Sequence, residues 1–123
     1  MKTDWHQLTN LESDSTGGIS ADIAIGPESL WFDGHFPGFP VLPGIAQLAM
    51  VFDALRACAQ RERADIALSE ISRVRFRHLI RPGDAIRVTA ATDGGDPSRH
   101  RFRVMAGGQL ACSGIMKTIP ARP

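Results

Sequence analysis

Pro37, Pro40 and Pro43, with Gly34 and Gly38, crowd one short stretch, and an almost wholly apolar run follows it directly. The stretch is WFDGHFPGFPVLPGIAQLAMVFDAL, Trp31 to Leu55. Proline fixes one backbone angle and glycine opens others, so the loop's path is set by residue type rather than by packing alone. That loop carries a single histidine, His35. From Gly44 to about Gln60 the spacing predicts one helix, with a stripe at Ile45, Ala49, Phe52 and Asp53 and with Leu48, Val51 and Leu55 filling the remaining circumference. Its polar interruptions are Gln47, Asp53 and Arg56. A helix apolar nearly all round is expected to be surrounded by other elements. The rest of the chain must therefore wrap it.

The chain has the material to do so. At 123 residues it is expected to be a single domain spanning 1–123, with 1–17 and 119–123 peripheral. Apolar residues make up 43% and charged residues 22%, enough for a real core. A formal net charge of +1 gives no global drive toward nucleic acid or a membrane surface. No apolar run reaches the roughly 18 residues of a membrane span, and MKTDWHQL lacks the apolar segment of a signal peptide. Cys58 and Cys112 each sit in apolar surroundings and read as reduced, buried thiols. The expectation is a cytoplasmic protein.

Strand patterns flank the helix. Ile19 to Ile25 alternates and is closed by Gly26-Pro27; residues 27–32 read as one helical turn. After a charged loop, Ile71 to Ile80 sets Val74, Phe76, His78 and Ile80 against Arg73, Arg75 and Arg77. Arg81-Pro82-Gly83-Asp84 is a turn, and Ala85 to Thr92 alternates again. The turn DGGDPS precedes Arg99 to Ala106, where His100, Phe102 and Val104 oppose Arg99, Arg101 and Arg103. Gly107-Gly108 predicts a tight hairpin into a last strand, Gln109 to Thr118, and the tail IPARP is expected to be loose. The order is thus strand, loop, helix and a four-stranded antiparallel meander, an α+β arrangement in which the sheet must curl round the helix.

The loop has a recognisable form. Gly34-His35-Phe36-Pro37, Pro40-Val41 and Pro43-Gly44 resemble the GHFPxxPVxPG signature of the β-hydroxyacyl-acyl carrier protein dehydratases, eight positions at fixed spacing. Pro43-Gly44-Ile45-Ala46-Gln47-Leu48 is most similar to the dehydratase-like branch associated with aryl polyene and related pathways, and Arg75 to Asp84, RFRHLIRPGD, resembles the family's strand and turn after the central helix. The likeness covers about Ile19 to Thr118. It implies the hot-dog fold, a curled antiparallel sheet wrapped around one long central helix. It implies at least a dimer, with the acyl tunnel between protomers, and a substrate linked to acyl carrier protein. His35 matches the catalytic histidine, and Val41 the residue whose carbonyl orients it. Gly44 matches the glycine whose N–H binds the thioester oxygen, and Phe36 belongs with them as a substrate contact. The family's second catalytic group is an Asp or Glu fourteen residues after the histidine, and here that position is Ala49.

The residues agree with that chemistry, with one gap. Dehydrating a 3-hydroxyacyl thioester needs a base for the α-proton, a stabiliser for the enolate oxygen and a proton for the departing β-hydroxyl. A histidine suits the first role. The unpaired amide at the start of a helix suits the second. The third has no group at Ala49. Asp53, one turn on and about 6 Å along the axis, is the candidate, through a bridging water; the plainer reading makes it a helix-surface or dimer-contact carboxylate. Asp33 reads as a loop cap, Gln47 as a packing or interface amide, and His6, His78 and His100 as structural or exposed. The arginines of the strands read as a solvated sheet face or as a docking surface for an acidic carrier protein. No CxxC, HExxH, GxGxxG or Walker pattern occurs, so no metal or nucleotide cofactor is implied. Three readings compete: a 3-hydroxyacyl-thioester dehydratase using His35 with Asp53 or water, a hot-dog thioesterase using Asp53, and a non-catalytic carrier-binding or scaffold subunit, such as the inactive half of a heterodimer, for which Ala49 speaks.

Overall fold

The structure is a computed structural model that describes residues 5–26, 29 and 41–121. The loop residues Asp33, His35 and Phe36, and the turn expected over 27–32 apart from Ser29, lie outside the described residues.

Six strands and one helix follow in the order β1 (Gln7–Ser13), β2 (Ile19–Ala24), α1 (Gly44–Arg61), β3 (Ile66–Phe76), β4 (Ile86–Asp93), β5 (Asp96–Ala106) and β6 (Gln109–Pro120). All strands pair antiparallel in one sheet, ordered β1-β2-β4-β5-β6-β3. The sheet curls round α1, which is the hot-dog architecture. Alternation explains which face is inward. Ile86, Val88 and Ala90 on β4, Phe102, Val104 and Ala106 on β5, and Cys112 and Met116 on β6 are all buried, while the arginines between them face out. Burying each Ile, Val, Phe or Met among them stabilises the fold by about 1.5–3 kcal/mol, and the alanines contribute less. Gly114 makes room for the largest of them: a Cβ there would meet the Phe102 ring at 2.8 Å.

The hairpins are set by glycine pairs. Gly94-Gly95 and Gly107-Gly108 all have positive φ, between 58° and 81°, as a two-residue turn matched to the strand twist requires. The first pair closes β4 onto β5 with only those two residues, so β5 begins at Asp96, earlier than the alternation indicates.

Three sequence expectations need correction. The last four strands are not a simple meander, because β3 lies beside β6, and β4 lies between β2 and β5. The segment after β3 must therefore cross the end of the sheet, and it is held there by Leu42 N–H donating to Ile80 C=O at 2.7 Å. β3 itself runs from Ile66 to Phe76; His78 is exposed and outside it, and only Ile80 of that stretch is fully buried. The tail is not loose at its start: Ile119 and Pro120 belong to β6, Pro120 pairs with Ile66, and Ala121 N–H donates to Asp65 C=O.

The helix is also rotated from its expected setting. Its buried residues are Ala46, Gln47, Met50, Val51, Ala54 and Leu55. The stripe Ile45, Ala49, Phe52 and Asp53 lies on the other side, with Ile45 64% exposed. An all-apolar circumference gives period without phase, so sequence alone left the core face undetermined. Of that stripe Ile45 and Asp53 are exposed, Ala49 is half-buried, and Phe52, also half-buried, packs against the core. No helix of the described residues is long and apolar enough to cross a membrane.

Candidate active site at the start of the central helix

The approach to α1 is fixed on both sides. Val41 and Leu42 are buried, and Leu42 is tied to Ile80 by the hydrogen bond already described. Pro43 is extended at φ −61° and ψ 150°, a conformation proline adopts without cost, and its carbonyl accepts from Ala46 N–H at 3.0 Å. Gly44 is then the first helical residue. The first amides of a helix have no intrahelical acceptor. Here Pro43 gives no side-chain cap, and no acidic residue stands in the first turn. Among the described residues the positive end of this 18-residue helix therefore carries no side-chain cap.

Phe76, at the end of β3, lies against this opening. A Cβ on Gly44 would stand 2.8 Å from Phe76 Cζ, so the ring and the glycine backbone are in direct contact. The ring is 54% exposed, half over the glycine and half toward solvent. Sequence reading placed Phe76 among the core residues by alternation. Its position as the last residue of the strand, next to exposed Arg75 and Arg77, was the available sign of a rim residue.

Gln47 is the other polar group of the first turn. It is only 3% exposed, and its Oε1 has no hydrogen-bond partner among the described residues. Side chains on a helix lean toward its N-terminus, so this amide covers the turn that begins at Gly44. The packing role expected for Gln47 agrees with its burial.

Ala49 and Asp53 lie on the outward stripe. Ala49 is half-buried and brings no polar atom. Asp53 is half-exposed, and its Oδ2 lies 2.7 Å from His6 Nε2, whose ring is nearly covered at 6% side-chain exposure. The pair joins residues 47 apart in sequence, which no local pattern reveals. Trp5 continues the same tie, its carbonyl accepting from the buried Ser29 hydroxyl. The N-terminal segment is thereby fastened both to α1 and to the residue leading toward the His35 loop.

The remaining histidine and thiols are shifted away from reactivity. Burial pushes His100 down, holding it neutral, and its Nδ1 has no partner among the described residues. Burial pushes the Cys112 thiol up to about 11 and raises Cys58 as well, so neither is a thiolate at neutral pH. Of the sequence-predicted site residues, the structure brings Val41 and Gly44 together at one helix end. Ala49 and Asp53 follow one and two turns on, and His35 and Phe36 lie outside the described residues.

Known proteins match the chain in sequence and in fold. The model of the family described as ApeI-like, ApeI dehydratase, matches residues 10–115. A 3-hydroxyacyl-[acyl-carrier-protein] dehydratase FabZ of Bacillus pumilus is 31% identical over 88 residues; the match covers 67% of this chain and only 61% of that relative's length. Among solved structures, the dehydratase heterocomplex ApeI:P from Xenorhabdus doucetiae aligns with TM-score 0.76 and 25% identity, covering 91% of this chain and 96% of that one. A hypothetical thioesterase from Streptococcus pneumoniae, solved with coenzyme A, aligns with TM-score 0.69 at 9% identity over 94% of this chain and 85% of its own, a likeness of fold alone.

Proposed function

The chain belongs to the ApeI-like dehydratase family, and from that premise we propose that it converts 3-hydroxyacyl thioesters, carried on acyl carrier protein, to trans-2-enoyl thioesters. The observation that carries this reading is the uncapped helix start at Gly44, in direct contact with Phe76 and lying nine residues after His35 in the signature loop. In this reading the thioester oxygen accepts from Gly44 N–H, with the helix dipole behind it. His35 takes the α-proton, and the Val41 carbonyl orients its ring. As the C–O bond at the β-carbon breaks, the electron pair of the α-carbanion forms the new double bond. The hydroxyl takes up a proton and leaves as water.

The source of that last proton is the open point of the site. Within this chain the outward stripe offers one carboxylate, Asp53, a turn beyond Ala49 and paired with His6. An exposed carboxylate at that distance acts through a water rather than by direct contact. A second reading is favoured by Ala49 itself. The stripe of exposed Ile45 with half-buried Ala49 and Phe52 is apolar enough to receive another subunit, and a partner chain of the same fold laid there would bring the missing acid. The ApeI:P complex is a dehydratase heterocomplex. A thioesterase would instead use Asp53 to direct water at the thioester carbonyl.

The products separate these readings. Purified protein is incubated with 3-hydroxyacyl-carrier protein, and enoyl and free acid are both followed. Enoyl product that falls in Asp53→Asn supports the single-chain dehydratase. Enoyl product appearing only with Ala49→Glu, or only when a second hot-dog chain is added, supports the half-site. Free acid dependent on Asp53 would replace the dehydratase by a thioesterase.

A further inference from the structure

Among the described residues Ser29, Gln47 and Thr118 are the buried polar side chains. Two of them have partners. The Ser29 hydroxyl donates to the Trp5 carbonyl, and Thr118 Oγ1 lies 3.5 Å from both the Ser98 carbonyl and His100 Nε2. Gln47 is the exception: it is 3% exposed, and its Oε1 has no hydrogen-bond partner among the described residues. The other residues on the buried face of α1 are Ala46, Met50, Val51, Ala54 and Leu55, all apolar. An amide oxygen kept in such surroundings without a hydrogen bond is destabilising, and a methionine or leucine would fill the space without that cost.

Helix geometry sets where this amide lies. Gln47 follows Gly44 by three residues, about 4.5 Å along the axis, and the two are neighbours on the helix surface. Helical side chains lean toward the N-terminus, so the Gln47 amide covers Gly44 and Pro43 rather than the turn beyond. Gly44 has no side chain to stand in its way, and the space a Cβ would take is filled by the half-exposed Phe76 ring. The uncapped helix start and the unpartnered Gln47 oxygen therefore converge on one place. The helix presents a donor there, and the side chain presents an acceptor.

A ligand that satisfies both carries an acceptor and a hydroxyl close together. A 3-hydroxyacyl thioester does: its carbonyl oxygen accepts from Gly44 N–H, and its β-hydroxyl is separated from the carbonyl carbon by the α- and β-carbons alone. We propose that Gln47 is the substrate contact that recognises the β-hydroxyl, an inference that rests on the function proposed above. The hydroxyl donates to Oε1, and because a hydroxyl both donates and accepts it pairs equally with Nε2 of a turned amide. An acyl chain entering past the Phe76 ring reaches this amide with little competing water, because Gln47 is buried. Holding the β-oxygen fixes rotation about the bond between the α- and β-carbons, and with it the direction in which the C–O bond breaks. The amide gives up no proton, so the departing hydroxyl still takes its proton from the sources named above. The enoyl product has no hydroxyl, leaves Oε1 unpaired again and is bound less tightly than the substrate.

The contact is measured by binding, apart from turnover. The probes are an amide analogue of a 3-hydroxyacyl-coenzyme A, in which N–H replaces the thioester sulfur and resists both elimination and hydrolysis, and the same analogue without the hydroxyl. The wild-type chain is expected to bind the hydroxylated analogue on the order of tenfold more tightly. Gln47→Met keeps the side-chain length and removes the amide. It should bind both analogues alike, with a melting temperature equal to wild type or higher, since an unpartnered amide has left the core. A wild-type chain with no preference for the hydroxyl overturns the proposal whatever the variant does, and is the result expected where Gln47 holds only a buried water. So does a preference that survives in Gln47→Met. A lower melting temperature with equal loss of affinity for both analogues makes Gln47 a packing residue and overturns it as well. A hydroxyl preference that Gln47→Met abolishes, in a protein that forms no enoyl product, upholds the contact while rejecting the dehydratase. Enoyl formation without any hydroxyl preference keeps the dehydratase and rejects the contact.

Discussion

The two ends of the central helix are built in opposite ways. At the C-terminal end everything is tied by the chain itself. Arg56 grips Asp65 through two hydrogen bonds of 2.8 and 3.1 Å, and Asp65 also accepts from Ile66 N–H. Arg61 donates to Leu11 C=O on β1, and Glu62, Arg63 and Ala64 N–H groups close on the last carbonyls. At the N-terminal end the first turn has no side-chain cap, no acidic residue and a buried Gln47 oxygen without a partner among the described residues. An uncapped helix start forgoes about 1 kcal/mol that a Ser, Thr or Asp at the cap would supply. One end is tied down by side chains, and the other carries no such tie among the described residues.

That contrast can be broken at several points. The largest effect is expected from His35→Ala, which should lower enoyl formation by about 10²–10⁴-fold while the melting temperature stays near wild type; loss of folding in place of loss of rate would move the loop from chemistry to structure. Smaller is the coupling between Gly44 and Phe76. Because a Cβ at 44 meets the ring at 2.8 Å, Gly44→Ala should harm turnover in the wild-type chain and much less in a Phe76→Ala background, a coupling of roughly 0.5–3 kcal/mol in a double-mutant cycle. Additive effects would show that the ring does not govern access to the amide.

The closed end should respond in stability and not in rate. The Arg56 hydrogen bond, then the Ile66 N–H, hold the Asp65 carboxyl below the ordinary carboxylate range. A depressed carboxylate contributes stability that is complete above its unfolded value, near 4, and is lost as pH falls through the lower folded value. Asp65→Asn should therefore lower the melting temperature slightly at pH 7, and the gap to wild type should close in acid. Turnover should not change. A pH-independent gap would assign Asp65 to packing rather than to its charge.

What could be read in advance divides along the same line. The glycine pairs, the alternation of β4 and β5 and the GHFP loop are local signals, and the fold follows from them. The position of β3 beside β6 is a long-range choice, and the segment between β3 and β4 announces a turn without saying how far it travels. The helix phase was hidden because Leu48, Val51, Phe52 and Leu55 are apolar on every side. The His6–Asp53 pair spans too much sequence to be seen. Ala49 was legible at once, as a missing acid in an otherwise matched motif.

The open amide itself is the most direct point of attack. Proline is tolerated at the first helical position, because its missing N–H has no partner inside the helix, and Pro43 before it already has the extended conformation that a following proline needs. Gly44→Pro thus removes the donor while leaving the helix able to form, and because its Cβ also meets the Phe76 ring it is made in the Phe76→Ala background and compared there with Gly44→Ala. Its single-turnover rate on a 3-hydroxyacyl-carrier protein should fall by about 10²–10³-fold, the cost of one lost oxyanion donor, with circular dichroism and carrier binding unchanged. A Gly44→Pro chain that folds and forms enoyl product at the rate of its Gly44→Ala counterpart would contradict the account.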